Sequence, residues 1–329
     1  MTVISNPRVE LRIIGDETIT INDRTQNPTD DLYVDFDIDK DLDEETNEAN
    51  LTIHNLSPTT RAKLVDSTNQ YSPIEIYLTP YSSTDHVLAF KGEIETVKHK
   101  FLRPGHETSI VCTSQNENHR SFYFERTYSK GTTIEDILND MIEEINLPRG
   151  DISTLPDDKI LFGESFSGPA FPILRRYAHD LGYYAYILDG TLNLTDLYEH
   201  PSPTNHEITT DQLLSSPEET TRIDRAKIDI KTSALFRNVS ANAKRIKYKK
   251  ALKQIKQFGG SEYVEYDAVD KIIEGLDFEI FLQPDINPDN IVEYNNTKYR
   301  VQSVSHYGNN YAGDWTTTIE SDFYDGEES

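Results

Sequence analysis

Five aspartates at alternate positions, Asp35, Asp37, Asp39, Asp41 and Asp43, have the type and spacing in this sequence that most readily suggest chemistry. Carboxylates at that density are hard oxygen ligands suited to calcium. The EF-hand loop needs Gly at its sixth place and Glu at its twelfth; counting from Asp35, those places hold Lys40 and Thr46. Val34, Phe36 and Ile38 alternate with the aspartates, so the run reads as a strand with one apolar and one acidic face. Taken by itself, that acidic face is simply solvated. Asp285, Asp289 and Asn290 offer a second group of oxygens, but Pro284 and Pro288 lie among them and a turn is the simpler reading.

Catalytic patterns are sparse. There is no His-Glu-x-x-His helix, no Cys-x-x-Cys pair and no phosphate-binding Gly-rich loop. Gly163-Glu164-Ser165-Phe166-Ser167-Gly168 approaches a nucleophile elbow, yet Ser167 stands where the closing Gly belongs, and the strand-then-helix setting is not expected there. Carboxylates are too plentiful for counting to exclude a glycosidase pair, and nothing singles out one acid. His179-Asp180 reads as a surface pair. Cys112, the one cysteine, lies in the apolar run Ser109–Thr113 and reads as a buried, inert thiol. No enzyme, cofactor or metal is expected. The basic stretch Lys244, Arg245, Lys247, Lys249, Lys250, Lys253 and Lys256 is the one counter-field, with Ala251, Leu252 and Ile255 giving it a helical face. It is a solvated face or a docking patch for an acidic neighbour. Aromatics for nucleic-acid binding are limited there to Tyr248 and Phe258.

The elements that must position these residues are mostly strands. The chain has 329 residues, enough for two or three domains. Its net charge of −25, from 57 acidic and 32 basic side chains, would repel nucleic acid rather than grip it. Met1–Glu10 lacks the apolar centre of a signal peptide, and no run reaches the ~20 apolar residues of a membrane helix, so synthesis in the cytoplasm is expected. Through residues 1–127, short alternating runs at Val9–Ile13, Ile19–Ile21, Val34–Leu42, Leu51–Ile53, Ile74–Leu78, Val87–Ile94 and Ser109–Thr113 predict a barrel-like β domain. One helix interrupts them, capped by Ser57 with Pro58 at its first position.

Residues 128–205 change character. Thr132 with Glu135 predicts a capping box for a helix carrying Ile134, Ile137, Leu138, Met141, Ile142 and Ile145, stopped by Pro148. A second helix starts near Pro169 and ends at Gly182. Asp189-Gly190 then predicts a hairpin turn, and Pro201–Asn205 a linker. From 206 to 329 β patterning resumes, at Ile223, Ile228, Ile230, Val239, Tyr263–Val264, Phe278–Leu282, Ile291–Tyr294, Tyr299–Val304 and Trp315–Ser321, for a second barrel-like domain. The class is mainly β, two barrel-like domains flanking a small α+β module of two helices and a hairpin.

Four stretches carry a resemblance. Asn55–Leu64, "NLSPTTRAKL", and Phe90-Lys91-Gly92-Glu93-Ile94 lie in the first section, and Leu181-Gly182-Tyr183-Tyr184 with Asp189-Gly190 in the second. In the third, Tyr299–Asn310 ends a strand in His306-Tyr307-Gly308, and Trp315 opens the last strand. Together they resemble baseplate hub proteins of tailed phages, the late control protein D type. Asn287-Pro288-Asp289-Asn290 departs from that pattern, which often has Pro-Gly here.

The resemblance implies a structural virion protein with two β-barrels per chain, assembled as a homotrimer. Six similar units would then match a hexameric tail tube on one side and a trimeric central spike on the other, with DNA passing unbound through a lumen that the acidic face of Asp35, Asp37, Asp39, Asp41 and Asp43 would line. The implied partners are a second and third copy, the tube protein, the spike protein and other baseplate proteins, in the virion tail. The alternatives are a distal tail adhesin or other injection-system adaptor and, third, a cell-wall hydrolase.

Overall fold

The computed structural model describes residues 8–15, 18–23, 25–42, 47–65, 72–80, 85–102, 105–114, 122–160, 163–196, 205–224, 254–258, 261–265, 271–311 and 315–324. Asp43, the helix-ending run Asp66–Asn69, the linker residues Pro201–Thr204, Ile228, Ile230, Val239 and the basic stretch from Lys244 to Lys253 lie outside them.

The first section holds β1 (Val9–Ile13), β2 (Ile19–Ile21), β3 (Val34–Asp41), β4 (Glu48–His54), α1 (Pro58–Val65), β5 (Pro73–Leu78), β6 (Val87–Leu102) and β7 (Gly105–Thr113). Alternation decides their faces: on β3, Val34, Phe36 and Ile38 are buried while Asp37 and Asp39 are exposed. At the start of α1, Ser57 Oγ accepts from the Thr60 amide at 3.1 Å, and Leu64 is buried beneath the helix. Gly92 is required by packing, because a Cβ there would stand 2.2 Å from the Thr113 carbonyl oxygen.

The middle section holds β8 (Tyr123–Tyr128), α2 (Ile134–Ile145), β9 (Arg149–Ile152), β10 (Glu164–Pro169), α3 (Ala170–Asp180), β11 (Tyr183–Leu188) and β12 (Thr191–Asp196). The apolar stripe expected of α2 is its buried face. Its cap falls one residue later than expected: Thr133 Oγ1 accepts from the Asp136 amide, while Thr132 Oγ1 donates to the Ser129 carbonyl in the preceding turn. The helix ends at Asn146, left-handed at φ +54, before Pro148 is reached. Gly182, at φ +84, closes α3 by donating to the His179 carbonyl. Asp189 and Gly190, at φ +48 and +79, make the two-residue turn between β11 and β12. Strands β8 and β10, which pair with each other, were not expected; burial alternates poorly on β8, while β10 alternates only from Glu164 to Ser167 and then runs into Gly168 and Pro169.

The third section holds β13 (Asn205–Glu207), β14 (Glu218–Asp224), β15 (Gln254–Phe258), β16 (Ser261–Glu265), β17 (Lys271–Phe281), β18 (Ile291–Tyr294), β19 (Thr297–Asn309) and β20 (Trp315–Phe323). Ile255, expected on a helical face, lies on β15, which pairs with β16 as a hairpin. The protein is mainly β, with three helices among the described residues. Three hydrophobic clusters form its cores, one in each section, and Leu282 and Trp315 cross over into the first.

The two β sections share one sheet of 13 strands, whose path runs β14-β17-β20-β19-β3-β4-β7-β6-β5-β1-β2. Its seam is the antiparallel pair β19·β3, where Ser303 faces Asp41 and Asn309 faces Asp35. Along that path the order β14-β17-β20-β19 is followed by β3-β4-β7-β6, and both quartets run through the chain in the same order. Strands β5 and β18 also correspond, each pairing with the start of the strand that follows it. The quartets are thus a tandem structural repeat. A register shift falls between Ile94 and Thr96 on β6, and between Val301 and Ser303 on β19. Beyond it Val97 faces Ile110 and His99 faces Thr108; in the second repeat Val304 faces Ile319 and His306 faces Thr317.

Candidate functional site

Strand β3 lies in the middle of the shared sheet, so its polar face belongs to a broad surface rather than an edge. Asp35, Asp37, Asp39 and Asp41 all stand on that face, Asp37 and Asp39 exposed and Asp35 and Asp41 half-buried. Glu48 of β4 stands directly opposite Asp39, extending the acidic row sideways. Burial, and then the neighbouring Asp39, raise the Asp37 carboxyl above the ordinary range. Ser305 Oγ donates to Asp39 at 2.5 Å, His54 Nε2 lies 2.8 Å from Asp35, and Tyr311 also donates to Asp35. This surface can repel a polyanion; the described residues hold no group of three or more His, Cys, Asp or Glu able to take a metal.

Asp285, Asp289 and Asn290 do not converge on a cation site. Asp289 is buried and its charge is met by Arg300, whose Nε donates at 2.6 Å, while Tyr186 donates to its other oxygen at 3.0 Å. Asn290 accepts from the Asn287 amide, and Asp285 is exposed. Arg300 also reaches the Asp196 carbonyl and Thr195 Oγ1 on β12 and lies over the Tyr184 ring. One guanidinium therefore ties the middle module to the third section. Burial, then Asp289, push the Tyr186 hydroxyl well up.

A second buried junction ties the module to the first section. Lys40 occupies the apolar phase of β3 and its side chain is fully buried. Its Nζ donates to Asn287 Oδ1 at 2.7 Å and lies 3.4 Å from Asp189 in the β11–β12 turn. Asp189 also accepts from the Lys91 amide, and Asn47 donates to the Ile187 carbonyl. Burial lowers the Lys40 ammonium from its ordinary value while Asp189 opposes the shift. Beside it His306 is fully buried, with Nδ1 2.9 Å from Thr317 Oγ1. Burial, then Lys40, push its imidazole down to about 3. Sequence reasoning missed both junctions; the available signal was Lys40 itself, a charge in the buried phase of an otherwise clean alternation.

Ser165 and Ser167 sit within β10, hydrogen-bonded across to Thr127 and Tyr123 of β8. A helix does follow this strand directly, contrary to expectation, but no serine lies at the turn between them. Cys112 is buried, which raises its thiol pKa and keeps it protonated. His179 and Asp180 are both exposed at the end of α3. Of the basic stretch only Lys256 falls within a described strand, β15.

The same fold occurs in solved tail proteins. The chain is similar to the tail protein from Neisseria meningitidis MC58 at 11% identity, TM-score 0.58 and 97% coverage of both chains. It is similar to the 43 kDa tail protein of prophage MuSo2 from Shewanella oneidensis at 8% identity and TM-score 0.54, over 96% of this chain and 99% of that one. It is also similar to the E. coli c3393 protein, a component of the type VI secretion system, at 9% identity and TM-score 0.51, over 90% and 74%. No curated protein matches the sequence. At these identities the likeness is one of fold. Residues 16–222 match the family Baseplate hub gp41, and the chain belongs to that family. It is a structural protein of the phage baseplate, in the virion tail.

Proposed function

We propose that three copies of this chain form the hub that joins a hexameric tail tube to a trimeric central spike, with the acidic face of β3 on the wall of the DNA channel. The observation that carries this reading is the tandem repeat: two quartets per chain, joined side by side, supply six similar units from three chains. Residues 1–127 and 206–329 would be the two barrel-like units and 128–205 the module bracing them from outside. Asp35, Asp37, Asp39 and Asp41, with Asp43 after them, would present negative charge to passing phosphates and give them no grip. The Lys244–Lys256 stretch is assigned to docking on an acidic neighbour, a role that charge reversal at Lys249, Lys250 and Lys253 would abolish.

Electron microscopy of tails containing the chain tests the reading. A threefold ring of six similar units around an axial channel, with Asp37 and Asp39 on its wall, is the expected result. The same aspartates on the outer surface would overturn the channel assignment, and a ring of any other symmetry would overturn the hub.

A further inference from the structure

The tandem repeat leaves two matching edges without a partner strand among the described residues. Strand β6 pairs with β5 through Val87–Glu93 and with β7 through Glu93–Leu102. Past Glu93, the side that β5 vacates meets no strand among the described residues. Strand β14 pairs with β17 on one side, and with no described strand on the other. Inside the chain the corresponding edges do meet, because β19 corresponds to β6, β3 corresponds to β14, and β19·β3 is the seam. We infer that β14 of a second copy adds to the open edge of β6 in the register of that seam. The inference rests on the ring reading above and gives it a residue-level joint.

The register follows from the pairings. In the seam His306 faces Ile38, Ser305 faces Asp39 and Tyr307 faces Asp37. Leu51 and Phe278 correspond, since each faces its repeat's isoleucine, Ile110 or Ile319. Counting along β3·β4 and β14·β17 from there, Asp37 corresponds to Glu218 and Asp39 to Thr220. Between copies, His99 therefore faces Glu219, Lys98 faces Thr220, Lys100 faces Glu218 and Phe101 faces Pro217.

Three observations favour this occupant. The β6 edge is cationic, with Lys98 and Lys100 exposed, and the β14 edge is anionic, with Glu218 and Glu219 exposed. Opposed charges across an antiparallel pair attract, and like charges repel. Phe101, 77% exposed, is an apolar liability on an open edge unless something covers it. The equivalents of the open positions are covered where the seam exists: Val304 and His306 are buried, whereas Val97 and His99 are partly exposed.

The experiment is a disulfide test on the full chain. Lys98→Cys with Thr220→Cys places a thiol on each side of one proposed pair, on the polar face where Ser305 already touches Asp39. Oxidation at ~100 µM is expected to give covalent dimers and a covalent closed trimer, while Lys98→Cys with Glu218→Cys, displaced by two residues, gives several-fold less. Lys100→Glu is expected to weaken association about fivefold, and adding Glu218→Lys to restore it. Equal yields from both cysteine pairs, or a trimer by mass with no cross-link, would overturn the register and leave the ring standing. A chain that stays monomeric and uncross-linked would overturn the joint; whether the ring itself survives is then read from micrographs of assembled tails.

Discussion

The two β repeats follow one strand path and differ in what fills the connection before β5 and β18. In the first it is helix α1, capped by Ser57 and set against the β6–β7 hairpin by Arg61, which donates to His99 Nε2 at 2.7 Å. In the second it is the loop 282–290, which delivers Asn287 to Lys40 and Asp289 to Arg300. A helix satisfies its own backbone and can remain at the surface. A loop of polar side chains inserted among the three sections must be met by buried charges instead. The same histidine-threonine pair consequently has two environments, covered at the seam and open at the edge. The difference teaches that the second repeat holds the chain together, while the first keeps surface available.

The comparison breaks most visibly at Arg300. Arg300→Met leaves the Asp289 carboxylate, with side-chain exposure of 3%, without its cation. The expected loss is about 3–5 kcal/mol of unfolding free energy, read from the urea midpoint. Adding Asp289→Asn should recover most of it, because the penalty is that of an unpaired buried charge. A loss below about 1 kcal/mol would show that the loop does not clamp the sections.

An effect graded with pH separates the histidines. Folding lowers the His306 imidazole from 6.5 to about 3, so below pH 6.5 the unfolded chain takes up a proton that the folded chain refuses. Stability is then lost as pH falls from 6.5 toward 3, by at most ~1.4 kcal/mol per pH unit from this group. His306→Asn should flatten the acid limb of a stability-against-pH curve relative to the parent chain. His99 is also lowered, by burial and then by Arg61, but it lies at the open edge and His99→Asn should flatten the limb less. Equal flattening would erase the distinction between seam and edge.

The smallest effect belongs to α1. Ser57→Ala removes the acceptor of the Thr60 amide and should cost about 1 kcal/mol, seen as a modest drop in thermal midpoint. Hydrogen exchange should place the loss in α1 and the hairpin beside it, leaving the Arg300 junction protected.

Much of this architecture was legible in the residues. The alternation of Val34, Phe36 and Ile38 with aspartates located β3 and its faces, and the apolar stripe from Ile134 to Ile145 located α2. The cap of α2 was misplaced by one residue because Thr132 and Thr133 offer the same hydroxyl, and only the Ser129 turn distinguishes them. Strands β8 and β10 escaped notice because β8 has no clean alternation and the inward phase of β10 is Glu164 and Phe166, only one of them apolar. The duplication was expected from the resemblance alone, because the correspondences that mark it, such as His99 with His306 and Thr108 with Thr317, are scattered among unlike residues.

By itself the sequence determined which residues of each strand face inward, where the helices run and that the whole carries −25 charges, since these depend on neighbours a few positions away. Only the tertiary structure decided that Asp41 would stand beside Ser303, that Lys40 would be buried against Asn287, and that Asp289 would meet Arg300 rather than a metal. Every antiparallel edge offers the same amides and carbonyls, so the choice of partner strand is written in no local pattern. It is settled by which apolar faces close over one another, and the acidic face of β3 acquires its place only after that closure.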